Sequence, residues 1–315
     1  MSNKNVLIVG TGVLGAYLSE LLLKKKYNIF VTTRKYKKNY FNFRKLRIQN
    51  KIKFIKLNIS NKKAIKRVIE KINPGYIYYF AGISSITQSF KKPKETMISN
   101  YVGTKNFLEI IEKEKIKTKF FKANSGYIFN GKGKKITNNS KLIKPNSPYT
   151  RSQIKSYKLI NKYRNKNLQC SNLIFFNVES PLRTDGYLIK KICNSIKLIK
   201  ENKLKKLKVG NINCIRDFSW APEIMKAVFY FSKLNSRNIL LGTGKEMSIK
   251  QVLNILFKLK KLNYKNHITI DKKLFRKNEQ LVISCSITKT VYLLKKFKWK
   301  PKLYGKKLLI RLFNN

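Results

Sequence analysis

The chain has one histidine, His267, so any metal site built from several histidines is excluded by count. A lone histidine is read as a surface or packing residue. Four cysteines (Cys170, Cys193, Cys214, Cys285) are scattered with no CxxC pair. That argues against a zinc site or a disulfide framework and suits a reducing compartment. No apolar run is long enough to span a bilayer. The opening MSNKNVLIVG enters a strand-like run directly, so a cytoplasmic protein without a transmembrane segment is the expectation. Acids are scarce: 14 Asp and Glu face 71 Lys and Arg, a net charge of +57. The excess is mainly lysine, the poorer fork for phosphate, and it runs along the whole chain instead of forming a block. It reads as a solvated basic surface, and no specific nucleic-acid partner is expected.

What is present is a chain of 315 residues with 43% hydrophobic content, enough for a sizeable core. Its first half alternates strand-like runs (NVLIVG, YNIFVTT, IKFIKLNI, YIYYFAG, TKFFKANS) with helical spacing (VLGAYLSELLLKKK, KKAIKRVIEKI, TKNFLEIIEKEK). Continuously apolar strands in that rhythm predict an α/β fold, a Rossmann-type doubly wound parallel sheet. SPYTRSQIKSYKLINKYR predicts a helix with Ser147 as N-cap and Pro148 in its first position. CSNLIFFNV reads as one further buried strand. After Pro181 the rhythm loosens into helices near 187–199, 249–262 and 287–297 with short strands between. A cofactor-binding domain over 1–176 is expected. A smaller C-terminal α/β region over 177–315 follows as the substrate domain, with some segments returning to the first.

VLIVGTGVLGAYL places Gly10, Gly12 and Gly15 in a GxGxxG pattern directly after a strand and opening a helix. Glycine permits the tight turn, the approach of a pyrophosphate and close helix–strand packing, and the helix N-terminus faces the anion. The second strand ends TTRKYKK without an acid for a free ribose 2′-hydroxyl. Arg34 suits a 2′-phosphate, so NADP(H) is expected over NAD.

Several further motifs stand in order: FAGISSITQSFKKP, SNYVGTKNFLE, FFNVESPLR, VGNINCIRDFSWAPE, FRKNEQ and FKWKP. Together they resemble the extended short-chain dehydrogenase/reductases of the NAD-dependent epimerase/dehydratase family. Within these, the chain resembles the GDP-mannose 4,6-dehydratases and their sister 4-keto-sugar reductases. The resemblance runs over nearly the whole length. It implies a GDP-linked nucleotide-sugar substrate, hydride transfer at sugar C4, and a homo-oligomer. It implies that Ser125 and Tyr149 flank C4, with Tyr149 the acid/base and Gln153 in the place of its helical partner. Cofactor contacts fall to Gly10, Thr11, Gly12, Leu14, Gly15, Arg34, Asn58, Ile59, Phe80, Ala81, Gly82 and Asn100, besides Tyr149 and Gln153. Substrate contacts fall to Ser84, Ser89, Asn177, Arg183, Lys191, Arg216, Arg276 and Glu279, the cations meeting a diphosphate.

Three positions depart from that pattern. The glycine loop is one residue shorter than the family's GxxGxxG. Tyr127 stands where dehydratases carry a glutamate for the C5 proton, which is closer to the reductase form. Gln153 stands four residues after Tyr149, where the family has lysine. A cation there would draw a tyrosine from its ordinary value near 10 toward working pH. Gln153 can hydrogen-bond a ribose but brings no charge. Lys155 and Lys158 point elsewhere on a helix. The expectation is slow catalysis unless another lysine folds in. A 4-keto reductase and a catalytically degenerate binder stand as the alternatives.

Overall fold

The computed structural model describes residues 3–131, 133–275 and 279–315. The fold divides into two compact units. The first comprises Met1–Ile128, Leu142–Phe175 and Met225–Ile239, and the second Phe129–Lys141, Phe176–Ile224 and Leu240–Asn315.

The first unit is built on six strands: β1 (Asn5–Val9), β2 (Asn28–Thr33), β3 (Lys53–Lys56), β4 (Tyr76–Tyr79), β5 (Lys119–Ser125) and β6 (Cys170–Phe175). They pair in parallel in the order β6-β5-β4-β1-β2-β3, with Ile239–Leu241 added at the β6 edge. Parallel strands need crossover helices, and these cover the faces, which is why the strands read as apolar runs. Val6, Leu7, Ile8 and Val9 are all 0% exposed. One face of the sheet packs Leu7, Tyr79, Phe107, Ile110, Phe120 and Ile160 into a single core. The strand order reverses direction at β1 and β4, the place in such sheets where a crevice opens at the carboxyl ends.

The crossover after β4 holds a detail that the sequence pattern does not display. Helix Pro93–Met97 runs through a π-helical turn, Ile98–Val102, into helix Gly103–Lys113. The wider turn sends Asn100 into the interior, where it is 0% exposed. Gly103 follows because a Cβ there would lie 2.1 Å from Tyr79 Oη and 2.9 Å from Ile59 Cδ1. The motif SNYVGTKNFLE thus has a packing cause at two of its positions.

CSNLIFFNV is not one strand. It breaks at Phe176: Cys170–Phe175 stays in the parallel sheet, and Asn177–Glu179 pairs instead with Ile215–Trp220 in the second unit. Apolar character continues through Phe176, so hydropathy alone cannot locate the change of sheet. In the second unit, Ile215–Trp220 is also flanked by Glu246–Ser248 and Val282–Ile283. Its own core gathers Ile192, Ile196, Phe218, Leu253, Phe257 and Leu308. Among the described residues no helix is long and apolar enough to cross a membrane.

Gly103→Ala should destabilise the protein by about 1–3 kcal/mol through overpacking, read as a lower denaturant midpoint. Tyr79→Phe, which removes the hydroxyl in the way, should recover part of that loss. A midpoint unchanged by Gly103→Ala would refute the close approach.

Candidate active site

The glycine loop lies at the end of β1. Gly10 has φ +110, and a Cβ on it would sit 3.0 Å from the backbone N and Cα of Ala81. Gly15 is held as closely, its Cβ position 2.9 Å from the Gly10 carbonyl oxygen. Gly12, by contrast, faces open space with nothing within 4 Å. It caps helix Val13–Lys24 and has no side chain to bond that helix's first amides. Those amides and the positive end of the helix dipole are therefore open to an anion. Thr11 and Leu14 flank the same turn, and Thr11 O accepts from Asn42 Nδ2 at 3.1 Å.

Phe80, Ala81 and Gly82 continue from β4 beside this loop, with Phe80 N donating to Val9 O at 3.0 Å. Gly82 has φ +154, and a Cβ there would fall 2.0 Å from Asn100 Oδ1. Asn100 Nδ2 donates to Ile83 O (3.1 Å) and to Ser152 Oγ (3.0 Å). Its Oδ1 is buried with no hydrogen-bond partner. Asn58 and Ile59 follow β3. Asn58 Oδ1 caps Ser60 N at 3.0 Å, and Ile59 O accepts from Asn106 Nδ2 at 2.9 Å. Arg34 is exposed at the end of β2, 4.0 Å from Glu95.

The helix Pro148–Asn165 begins as the sequence predicts. Ser147 Oγ accepts from Thr150 N, and Thr150 Oγ1 accepts from Ser147 N, each at 3.1 Å. Pro148 supplies a preset φ at the first position. This fixes Tyr149 in the first turn, where its amide donates to Ser89 Oγ at 3.2 Å. Ser89 is fully buried, and its hydroxyl donates to Ile86 O at 2.6 Å. Ser89 therefore anchors the helix start, and its hydroxyl is already engaged. Ser84 is exposed on the preceding loop.

Ser125 ends β5. Its Oγ accepts from Tyr127 N at 3.2 Å, and its own amide donates to Asn124 Oδ1 at 3.0 Å. Asn124 Nδ2 reaches the Gln153 carbonyl at 3.4 Å and so ties the strand end to the helix. The Gln153 side chain is buried, and its Oε1 has no partner. Asn100 Oδ1 and Gln153 Oε1 are thus among the buried oxygens left open in the first unit, which is costly unless a donor arrives. A cofactor with ribose hydroxyls and a pyrophosphate fits this set: donors for the two oxygens, and an anion for the Gly12 helix end. Lys155 and Lys158 are exposed, Lys155 over the Tyr101 ring at 5.6 Å.

Sequence reasoning missed three residues here. Asn124 and Ser152 tie the site together. Lys122, in the middle of β5, is 1% exposed. Its Nζ donates to Ala123 O and lies 5.4 Å from the centre of the Tyr79 ring. Burial pushes its ammonium down to about 7. A lysine inside the apolar run KFFKANS was the available signal.

The remaining positions belong to the second unit. Asn177 Oδ1 is buried without a partner. Arg183 donates through Nε and NH2 to Val178 O (3.0 and 2.7 Å) and stacks on Tyr187. Lys191 Nζ donates to Lys208 O at 2.9 Å. Arg216 is 4% exposed and bonds the carbonyls of Ile215, Gln280 and Leu281 as well as Glu279 Oε1 at 3.0 Å. The structure brings Arg216 and Glu279 together as a pair. Arg276 lies outside the described residues.

Lys122→Met should stabilise the fold. A lysine whose folded value lies below its unfolded one costs stability most at low pH. The cost shrinks as pH rises from about 7 toward 10.5 and is absent above that. The variant's gain in thermal midpoint should therefore be larger at pH 6 than at pH 9.5. An equal gain at both would show that the buried amine is not the cause.

Comparison with known proteins agrees with this geometry. The family model described as GDP-mannose 4,6 dehydratase matches residues 7–311. GDP-mannose 4,6 dehydratase 1 of Arabidopsis thaliana is 28% identical over 97% of this chain and 88% of its own length. Among solved structures, UDP-glucose 4-epimerase of Thermus thermophilus in complex with NAD superposes with a TM-score of 0.81 at 18% identity, covering 98% of this chain and 99% of that one. dTDP-glucose 4,6-dehydratase of Bacillus anthracis, also in complex with NAD, gives 0.80 at 19%, covering 98% and 96%. The chain belongs to the GDP-mannose 4,6-dehydratase family of extended short-chain dehydrogenase/reductases.

Proposed function

We propose that the protein is a nucleotide-sugar enzyme of dehydratase type that acts at C4 of a GDP-linked mannose with NADP(H). The observation that carries this reading is the tie between Ser125 and Tyr149. Asn124 fixes the strand end to the helix at Gln153, and Asn100 fixes the crossover after β4 to the same helix at Ser152, beside two unpartnered buried oxygens. Gly10, Gly12 and Gly15 would hold the pyrophosphate, Asn100 and Gln153 a ribose, and Arg34 a 2′-phosphate. When bound, the nicotinamide supplies the hydride acceptor or donor for C4.

The chain's own residues handle the proton. Ser125 Oγ accepts from Tyr127 N, which leaves its hydrogen to donate to the C4 oxygen. Tyr149, 7% exposed, passes the proton to or from that oxygen. The Asn100 amide bonds Ser152, which in turn donates to Tyr149 O at 2.8 Å, so Asn100 holds the helix turn that aims Tyr149. Arg183 and Lys191 supply charge for a diphosphate, and Arg216 positions Glu279 toward a nucleoside ribose.

A second reading, the 4-keto-sugar reductase, has a specific observation behind it. The acids of the first unit are Glu20, Glu70, Glu95, Glu109, Glu112 and Glu114. Each is engaged by a lysine or arginine at the surface. Tyr127 holds the position from which a dehydratase carboxylate would remove the C5 proton. Reduction of a ketone at C4 needs no such base.

Incubation with GDP-mannose and NADP+, followed by NMR, should yield a 4-keto-6-deoxy sugar nucleotide. If it does not, oxidation of NADPH by the 4-keto sugar identifies the reductase. Tyr149→Phe should lower either rate by about 10²-fold or more with little change in cofactor affinity. Absence of both reactions would refute catalysis at C4 of these sugars.

A further inference from the structure

We propose that Lys122 supplies, from within strand β5, the positive charge that the Tyr149 helix lacks at Gln153, and acts as a positioning residue for the nicotinamide end of the site. This assignment rests on the reading of the first unit as a nicotinamide site.

Side chains alternate along a strand, so Lys122 shares its face of β5 with Phe120 and Asn124. That face lies under the helix Pro148–Asn165. Asn124 bonds the Gln153 carbonyl, and Asn172, paired with Lys122 across β5 and β6, donates to Tyr157 O (3.3 Å) and Asn161 Oδ1 (3.2 Å). The amine of Lys122 is therefore enclosed between the sheet and the helix that bears Tyr149 and Gln153. It reaches toward the carboxyl end of β5, where its hydrogen bond to Ala123 O carries it one residue nearer Ser125.

The second contact continues in the same direction. Lys122 lies over the Tyr79 ring, Tyr79 Oη donates to Ser99 O at 2.8 Å, and the next residue is Asn100. Lys122 thus contacts the residue before Asn124, and the ring whose hydroxyl bonds the residue before Asn100.

No carboxylate compensates the amine. Among the described residues it forms no ion pair, and burial is the whole cause of its shift. A buried cation held by one carbonyl and one ring costs the fold, and residues that cost the fold are candidates for function. In a medium of low dielectric its charge also acts over a longer distance than a surface lysine's.

A nearby cation disfavours the oxidised, positively charged nicotinamide relative to the reduced, neutral one. Calorimetric titration with NADP+ and NADPH at pH 6.5 measures this without turnover. Removing the charge by Lys122→Met should lower the ratio Kd(NADP+)/Kd(NADPH) by about fivefold, the size expected of one nearby charge at an effective dielectric near 20 with screening. Adding Gln153→Lys to that variant should restore the ratio, because the charge returns from the helix side. A ratio unchanged by Lys122→Met, with the thermal midpoint moved, would show that Lys122 only packs, and so would a shift that Gln153→Lys leaves uncorrected. If the ratio responds as stated but no nucleotide sugar is turned over, the assignment stands and the substrate reading fails. If neither nucleotide binds, the nicotinamide reading fails and takes this assignment with it.

Discussion

Ser147 and Thr150 exchange hydrogen bonds across the first turn of Pro148–Asn165, and the positions of Tyr149, Ser152 and Gln153 follow from where that helix starts. A capping interaction of this kind contributes about 1 kcal/mol, a modest amount in energy. Its effect on geometry is larger. Tyr149 sits in the first turn, so a start displaced by one residue would turn its phenol by about 100°. Three further ties hold the turn: Ser89 under the Tyr149 amide, Ser152 to Asn100, and the Gln153 carbonyl to Asn124. Two come from the crossover between β4 and β5 and the third from β5 itself, so the site is set by the tertiary fold as much as by its own helix.

The same arrangement accounts for the cluster of glycines at the carboxyl end of the sheet. Gly10 must clear Ala81, and Gly82 must clear Asn100. Side chains are missing where backbones and buried amides meet, and Gly12 alone opens onto free space. An anion can approach there because the first amides of Val13–Lys24 have no side-chain cap.

Much of this was legible in the sequence. The glycine spacing, the Ser-Pro helix start and the apolar strands each carry a local cause, and local causes leave local signatures. The family motifs carried the rest of the first unit. What escaped was non-local. The change of sheet at Phe176 leaves no mark in hydropathy because the apolar run continues through Phe176 itself, and the partner of Asn177–Glu179 lies some forty residues on, at Ile215–Trp220. The π-turn that turns Asn100 inward has no composition of its own. The resemblance assigns Ser89 to the substrate, and its hydrogen bond from the Tyr149 amide, sixty residues on, has no local signature. Lys122 is obscured for a different reason: in a chain with 71 Lys and Arg, a lysine within the apolar run KFFKANS is a weak signal until its burial is known. The acids tell the reverse story, because so few exist that their surface pairings in the first unit could be followed one by one.

The central claim is that the first unit is a nicotinamide site whose two open buried oxygens, Asn100 Oδ1 and Gln153 Oε1, await donors from a bound cofactor. A crystal structure of the protein with NADP+ tests it most directly. The account predicts the pyrophosphate on the amides that follow Gly12, and both oxygens satisfied by ribose hydroxyls or by water that the cofactor orders. A cofactor seated away from the glycine loop, or both oxygens still unpartnered beside it, would contradict the account.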